Sequence, residues 1–465
     1  LLSTGVYGTA LASAVGVKPD GTEVKLNERN EGGLSIGVHE EVLNGDALAK
    51  YDKIVIKIDE NATKPLDGIR LNANTITAKD IDITIKNKET AHGIYLSRHG
   101  ANADKVPSYL EIGNYTANIS APNSNAFEIS CEEAFGIKES VTEAKINGNF
   151  TATVENGNGI KVSSSSSENL DKKEAVLNIK GKTDITINAD IVKDTSLIYK
   201  DDILVVGDFE ANYAPAGIYA GNTTCNFEFK GTLVDIEVAD PGTGQVIPIY
   251  NEEYGKGYYH SFDYKKGLNT EGLAVINLDG EIDVKTNGKG NFGIYAGKNG
   301  EINLNANGNS KLNITASGTN SYGIAAINSN LVYGDKIDVW DEWGYDIDLP
   351  PIYYEIANTV LDQSKNTYGS TVILNGTNNT ITMAEGGKAL YADAKNSTAN
   401  DKEVIIKSGD NGIGTLDVKG DIVATNSGKI DLTVNKTADI TGDIEATNSG
   451  VINFTLGDNA DMIVS

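Results

Sequence analysis

Gly420-Asp-Ile-Val-Ala-Thr-Asn-Ser-Gly-Lys-Ile-Asp-Leu-Thr-Val434 returns 22 residues later as Gly442-Asp-Ile-Glu-Ala-Thr-Asn-Ser-Gly-Val-Ile-Asn-Phe-Thr-Leu456, with 10 of 15 positions identical. A repeat of this length signals a stack of similar units. Within each copy the apolar residues alternate, as Ile430, Leu432, Val434 and then Ile452, Phe454, Leu456. That period of two marks a strand with one buried face. The unit is too short for a strand–helix–strand crossover and has no helical stripe, so it reads as one coil of a parallel β-helix. Ile422 is expected to stack on Ile444, Ala424 on Ala446, Asn426 on Asn448 and Ile430 on Ile452. Asn426-Ser-Gly428 is corner chemistry, with Gly expected to supply the positive φ.

The same architecture is written more loosely upstream. Ile54-Val-Ile-Lys-Ile58, Gly68-Ile-Arg-Leu-Asn72 and Ile81-Asp-Ile-Thr-Ile85 are strand-like, and a Gly-Ile-Tyr-Ala signature recurs. It occurs as Gly93-Ile-Tyr-Leu96, Gly217-Ile-Tyr-Ala220, Gly293-Ile-Tyr-Ala296, Gly323-Ile-Ala-Ala326 and Ala389-Leu-Tyr-Ala392. Gly136-Ile-Lys and Gly159-Ile-Lys-Val162 read as weaker copies. Fifty glycines, with abundant Asn, Thr and Asp, fit short strands joined by tight corners. Coils of about 22–25 residues predict some 16–19 turns and a rod of about 75–90 Å. The Ser163–Ser167 run reads as a loop.

The chain carries a formal charge of −26. Such a surface repels nucleic acid and anionic lipid, and no basic stripe interrupts it. Cys131 and Cys225 are placed about four coils apart, beyond disulfide reach. No apolar run is long enough to span a membrane as a helix. Residues 1–14 end in Ala12-Ser-Ala14 and read as the tail of a signal peptide; the alternative is a strand of the mature fold. Residues 15–50 read as an N-terminal cap or first coil, and 51–465 as the solenoid. The pattern stops at Ser465 without a cap, so a natural continuation is expected.

Two stretches interrupt the periodicity, at about 245–268 and 333–356. Tyr250–Tyr264 and Tyr333–Tyr354 together hold nine of the 21 tyrosines and both tryptophans. Tyr and Trp give large contact area at low entropic cost and dominate binding hot spots. Tyr254, Tyr258, Tyr259, Trp340, Trp343, Tyr345, Tyr353 and Tyr354 are therefore the candidate ligand-binding residues. The competing reading is a small satellite core folded over the solenoid, with Pro350-Pro351 fixing its turn.

The repeated Gly-Ile-Tyr-Ala, Gly300-Glu-Ile-Asn-Leu304 and Thr441-Gly-Asp-Ile-Glu-Ala-Thr-Asn-Ser-Gly450 segments resemble the passenger domains of bacterial autotransporters, the type V secretion family. The resemblance covers most of residues 50–465 and is one of repeat style. It implies an all-β, right-handed parallel β-helix, carried to the cell surface by a C-terminal outer-membrane barrel absent from this chain. It also implies an adhesin that binds host or bacterial glycans or proteins, with self-association and biofilm formation as a variant.

Catalytic chemistry has little footing in the sequence. Neither a Gly-Asp-Ser-Gly nor a Gly-x-Ser-x-Gly nucleophile motif occurs. His92 and His99 flank Gly93–Arg98 and read as part of a surface loop; no spacing resembles a zinc site. The alternative is a carbohydrate-active β-helix enzyme, a lyase or hydrolase, but the only arginines are Arg29, Arg70 and Arg98. Asp335, Asp338, Asp341, Glu342, Asp346 and Asp348 could hold calcium in principle, yet follow no calcium-loop pattern and read as a solvated acidic loop. No metal or other cofactor is expected.

Overall fold

A computed structural model describes residues 12–26, 34–36, 48–60, 62, 67–72, 75–97, 108–122, 124–131, 141–164, 173–189, 192–193, 210–213, 215–221, 227–230, 246–251, 255–260, 273–297, 299–305, 308, 310–328, 331–333, 337–340, 346–349, 353–355, 369–394 and 403–465. Among them every regular element is a β-strand. Each coil contributes three strands, one to each of three walls. Lys53–Ile58, Ile69–Asn72 and Thr75–Ala78 make the first, second and third wall of one coil, and Asp80–Lys86 opens the next. The walls hold 13, 11 and 10 strands, and strands of successive coils pair in parallel. The chain is thus a parallel β-helix.

Alternation explains the walls. In the first, Ile56, Ile83, Ala117, Ala152, Ile185, Val284, Ile314, Ile381, Val418 and Ile440 occupy one register column and are buried. Their strand neighbours Thr84, Thr153, Thr315 and Thr382 fall on the opposite, polar face. One continuous apolar core runs through the stack, the non-directional burial that drives such folds. Cys131 is buried in that core; Cys225 lies outside the described residues.

The opening repeat behaves as read. Ile422 pairs with Ile444, Ala424 with Ala446 and Ile430 with Ile452. Its corner works differently from expectation. Positive φ falls on Asn426 (50°) and Ser427 (67°), and again on Asn448 and Ser449. Gly428 and Gly450 are needed for space, because a Cβ on either would overlap the carbonyl of the coil beneath, Ala392 or Ala424. The Gly-Ile-Tyr-Ala glycine has the same reason. A Cβ on Gly217 would lie 2.6 Å from the Gly293 carbonyl oxygen, and one on Gly293 equally close to that of Gly323.

The expected length of the stack is corrected. The first wall has eleven parallel strands from Lys53–Ile58 to Asp461–Val464, since Ala12–Val17 and Glu23–Lys25 complete its 13 in antiparallel fashion. Ten steps at ~4.8 Å give a stack of about 48 Å, shorter than the expected 75–90 Å. The coil is simply longer than the repeat suggested: Ile81 stacks under Tyr115 and Tyr115 under Phe150, 34 and 35 residues apart. Ile160, beside Gly159, stacks on Phe127, 33 residues away; Gly136 lies outside the described residues. At the start of the described chain, residues 12–17 form one strand. Ala12–Val17 pairs antiparallel with Lys53–Ile58, and Ala14 is fully buried. Alternation of Ala14 and Gly16 with Ser13 and Val15 lets this strand close the apolar start of the first wall.

Candidate functional site: one decorated edge

The three corners of the coil tolerate insertion unequally. Between third and first walls the longest connections are 305–310 and 409–414. Between first and second walls the longest are 189–215 and, with ten residues, 59–68. Between second and third walls lie 98–108, 132–141, 165–172, 222–272, 328–370 and 394–404. Both aromatic stretches are therefore insertions at one corner, leaving from Ala216–Gly221 and Tyr322–Ile327.

The two insertions are not independent. Val246–Asn251 and Gly255–His260 of the first form an antiparallel pair, as do Ile337–Trp340 and Asp346–Leu349 of the second. Tyr258 then pairs with Trp340 and Tyr259 with Val339, joining both into one four-stranded antiparallel sheet. Sequence periodicity could not show this, because the pairing spans about 80 residues and no repeat links the partners.

This register sorts the candidate residues. Tyr258 and Trp340 share one face of the accessory sheet, while Tyr259 falls on the other with Val339. Tyr353 and Tyr354 belong to a separate two-stranded ribbon, opposite Tyr333 and Val332. Tyr254, Trp343 and Tyr345 lie outside the described residues, as do Asp335, Asp341 and Glu342. Of the acidic set, Asp338 pairs with Asp348 across neighbouring strands, and Asp346 pairs with Trp340. This stretch is therefore strand at Ile337–Trp340 and Asp346–Leu349, where a loop was expected. The backbone brings Tyr258 and Trp340 together; it does not bring Tyr353 or Tyr354 to the same sheet.

An aromatic ladder on the outer face of the second wall was missed by periodicity. Tyr219, Tyr295, Ala325 and Tyr391 occupy one register column, and Ala216, Phe292, Tyr322 and Lys388 the next. These residues face away from the solenoid core, yet Tyr219 is 1% exposed and Tyr295 3%. They form a second apolar cluster outside the wall. Phe292 stacks on Tyr322 at 4.5 Å and 9°, and the Lys388 ammonium lies over the other neighbour side of Tyr322, 5.3 Å from its centroid. Tyr391 donates its hydroxyl to Asp393 (2.8 Å), which also accepts from Asn426 (2.9 Å). Burial raises the Tyr391 phenol well above its usual range, with the Asp393 carboxylate adding to the effect. With neighbours on both sides of Tyr322, the ladder is a packed spine at the very rungs from which both insertions leave. The signal was present: in Gly-Ile-Tyr-Ala, Ile and Ala face inward, so Tyr must face out.

Lower in the same column the chemistry turns ionic. Arg70, Tyr95, Glu128, Lys161 and Tyr219 follow in register. Glu128 is 4% exposed and accepts from Lys161 Nζ (3.0 Å) and Asn125 Nδ2 (2.7 Å). Burial pushes its carboxyl upward, but Lys161, His92 and these hydrogen bonds outweigh it and hold Glu128 below the ordinary carboxylate value. His92 Nδ1 accepts the Asn125 backbone N–H at 3.1 Å and lies 3.3 Å from Glu128. His92 is thus part of a partly buried network around Glu128, where a surface loop was expected; His99 lies outside the described residues. Buried charges survive only when paired and hydrogen-bonded, as here.

Among the described residues no group of three or more His, Cys, Asp or Glu side chains is placed to hold a metal ion. No known protein family, curated protein or solved structure matches the chain.

Proposed function

We propose that this chain is a surface-displayed binding protein, an adhesin of the autotransporter-passenger kind, and that recognition takes place on the decorated edge. The observation that supports this most is the union of two distant insertions into one sheet bearing the Tyr258–Trp340 pair. A solenoid used only as a spacer has no need to grow chain at one corner and pair it across rungs. Loops held by a rigid scaffold are where binding residues concentrate. In this reading the protein acts outside the cytoplasm, on host or bacterial glycans or proteins. The test is binding of the intact chain to cells, glycans and matrix proteins, beside variants lacking 245–268 or 333–356. Because the insertions pair, removing either one is expected to abolish binding. Full binding by both deletion variants would refute the assignment.

Self-association is a second reading, favoured by the first wall. Its outward row runs Thr84, Asn118, Thr153, Thr186, Lys285, Thr315 along coils whose corners with the third wall stay short. Like-charged copies at −26 repel, and that repulsion is screened over about 10 Å at 0.1 M salt. Association in this mode rises with ionic strength; a monomer at every salt concentration in sedimentation would end the idea.

A further inference from the structure

The network around Glu128 holds more than an ion pair. Glu128 and Lys161 are register partners on neighbouring coils, and Lys161 Nζ lies 3.0 Å from Glu128 Oε1. The other carboxylate oxygen, Oε2, accepts from Asn125 Nδ2 at 2.7 Å and has His92 Nδ1 3.3 Å away. An amine and a side-chain amide therefore meet on one carboxylate. The amide oxygen is held as well. Asn125 Oδ1 accepts two N–H groups from the next coil, the Asn158 backbone N–H at 3.0 Å and Asn158 Nδ2 at 2.8 Å. Asn158 is kept in that pose by Ala216, whose N–H donates to Asn158 Oδ1 at 2.8 Å. Asn125 and Glu128 are each 4% exposed and Asn158 1%, so water is largely excluded.

These are the parts of an acyl-transfer site. A lysine amine is a nucleophile once it loses its proton. Two convergent N–H donors on a carbonyl oxygen stabilise the charge that grows there under attack. A carboxylate in reach of both nitrogens takes a proton from one and gives it to the other. An amide is a poor acyl donor, and holding the amine beside it offsets that by making the attack unimolecular. We propose that Lys161 and Asn125 join in an intramolecular isopeptide bond, which the folded chain forms by itself.

The step balances without an oxidant or a second substrate. The Lys161 ammonium passes a proton to Glu128, and Nζ moves from Oε1 onto Asn125 Cγ, a shift that its flexible stem permits. The Nζ–Cγ bond forms while the oxygen charge is held by the two Asn158 N–H groups. As the Cγ–Nδ2 bond breaks, Nδ2 takes up the two protons that Nζ gives up and leaves as ammonium. Glu128 ends as the carboxylate it began. The bond-free geometry described above is the state from which closure starts, and alkaline pH, which frees the amine, speeds it. The product ties the corner at Asn125 to the strand Ile160–Ser164 of the next coil.

The test is peptide mapping of the intact chain, sampled over time at alkaline pH, digested with trypsin and read by tandem mass spectrometry. The expected result is a branched peptide that joins the segments around Asn125 and Lys161 and is lighter than their sum by one ammonia. Total mass alone does not decide, because Asn-Gly pairs such as Asn156-Gly157 shed ammonia onto their own backbone. Lys161→Arg keeps the positive charge beside Glu128 but carries no amine. It is expected to abolish the branch while far-UV circular dichroism stays that of the parent. Glu128→Gln is expected to slow the appearance of the branch by about a hundredfold or more. Absence of the branched peptide from the folded parent at every time point overturns the proposal. So does a branch that survives Lys161→Arg, or one that forms as fast in Glu128→Gln as in the parent.

Discussion

From Leu416 to Ala438 a coil takes 22 residues, and from Ala438 to Met462 it takes 24. From Thr183 to Ile282 one coil takes 99. Yet Ile185 stacks on Val284 with the same parallel register that joins Val418 to Ile440. The stack registers only where each strand lands, not the chain spent between landings. Loop closure is cheap in this respect, since each doubling of length costs only about 0.6 kcal/mol. The comparison also locates the decoration. In the stem, the corner between second and third walls is Asn426-Ser427-Gly428; in the middle, that corner carries 222–272 and 328–370. The most repetitive feature of the chain marks the edge along which its irregular parts grow.

If the core is continuous, stem and decorated middle should suffer alike from a buried charge. Leu432→Asp and Ile294→Asp, each at a fully buried site, are each expected to cost more than about 4 kcal/mol in chemical denaturation. A much milder effect at Ile294 would mean the middle is held by its insertions instead.

The outer spine should separate the two regions. Phe292→Ala and Tyr295→Ala remove rings packed outside the wall, at an expected cost of about 2–4 kcal/mol. Limited proteolysis should then cut within 222–272 and 328–370 while residues 415–465 stay intact. Uniform loss of protection would show that the spine supports the whole stack.

A change in the opposite direction is expected at the stem corner. Ser427 sits at φ 67° and Ser449 at 65°, a region costly to residues with a Cβ. Ser427→Gly and Ser449→Gly are each expected to stabilise by roughly 0.5–1 kcal/mol, seen as a higher denaturation midpoint with unchanged slope. Destabilisation instead would show that the serine side chains hold the corner.

The smallest effect concerns the ionic part of the second wall. Glu128 is held below the usual carboxylate value when folded. Its stabilisation is therefore complete above the unfolded carboxylate pKa and fades as pH falls through the lower folded value. Glu128→Gln should flatten the acid limb of stability for the N-terminal coils and leave the stem's acid limb unchanged. An identical acid limb in parent and variant would remove Glu128 from the account.

Much of the architecture was legible because alternation is local. Ile430, Leu432 and Val434 declare one buried face without any knowledge of their neighbours, and the 22-residue repeat declares the stacking. The coil count was not legible, because the shortest coils are the most regular and so dominate what the eye detects. Of the candidate site, the aromatic residues were visible as a break in periodicity, but their grouping was not: Tyr258 and Trp340 are register partners, Tyr259 takes the opposite face, and Tyr353 and Tyr354 pair elsewhere.

By itself the sequence determined the strand faces, the parallel stacking and the places where the pattern lapses, since side-chain alternation and turn chemistry act over a few residues. Only the tertiary structure decided that the lapses share one corner, that two of them form a single sheet, and that the tyrosines of Gly-Ile-Tyr-Ala build a spine outside the wall. Those facts depend on which residues lie 4.8 Å away through the backbone ladder, a neighbour that can be 22 or 99 positions distant in the chain.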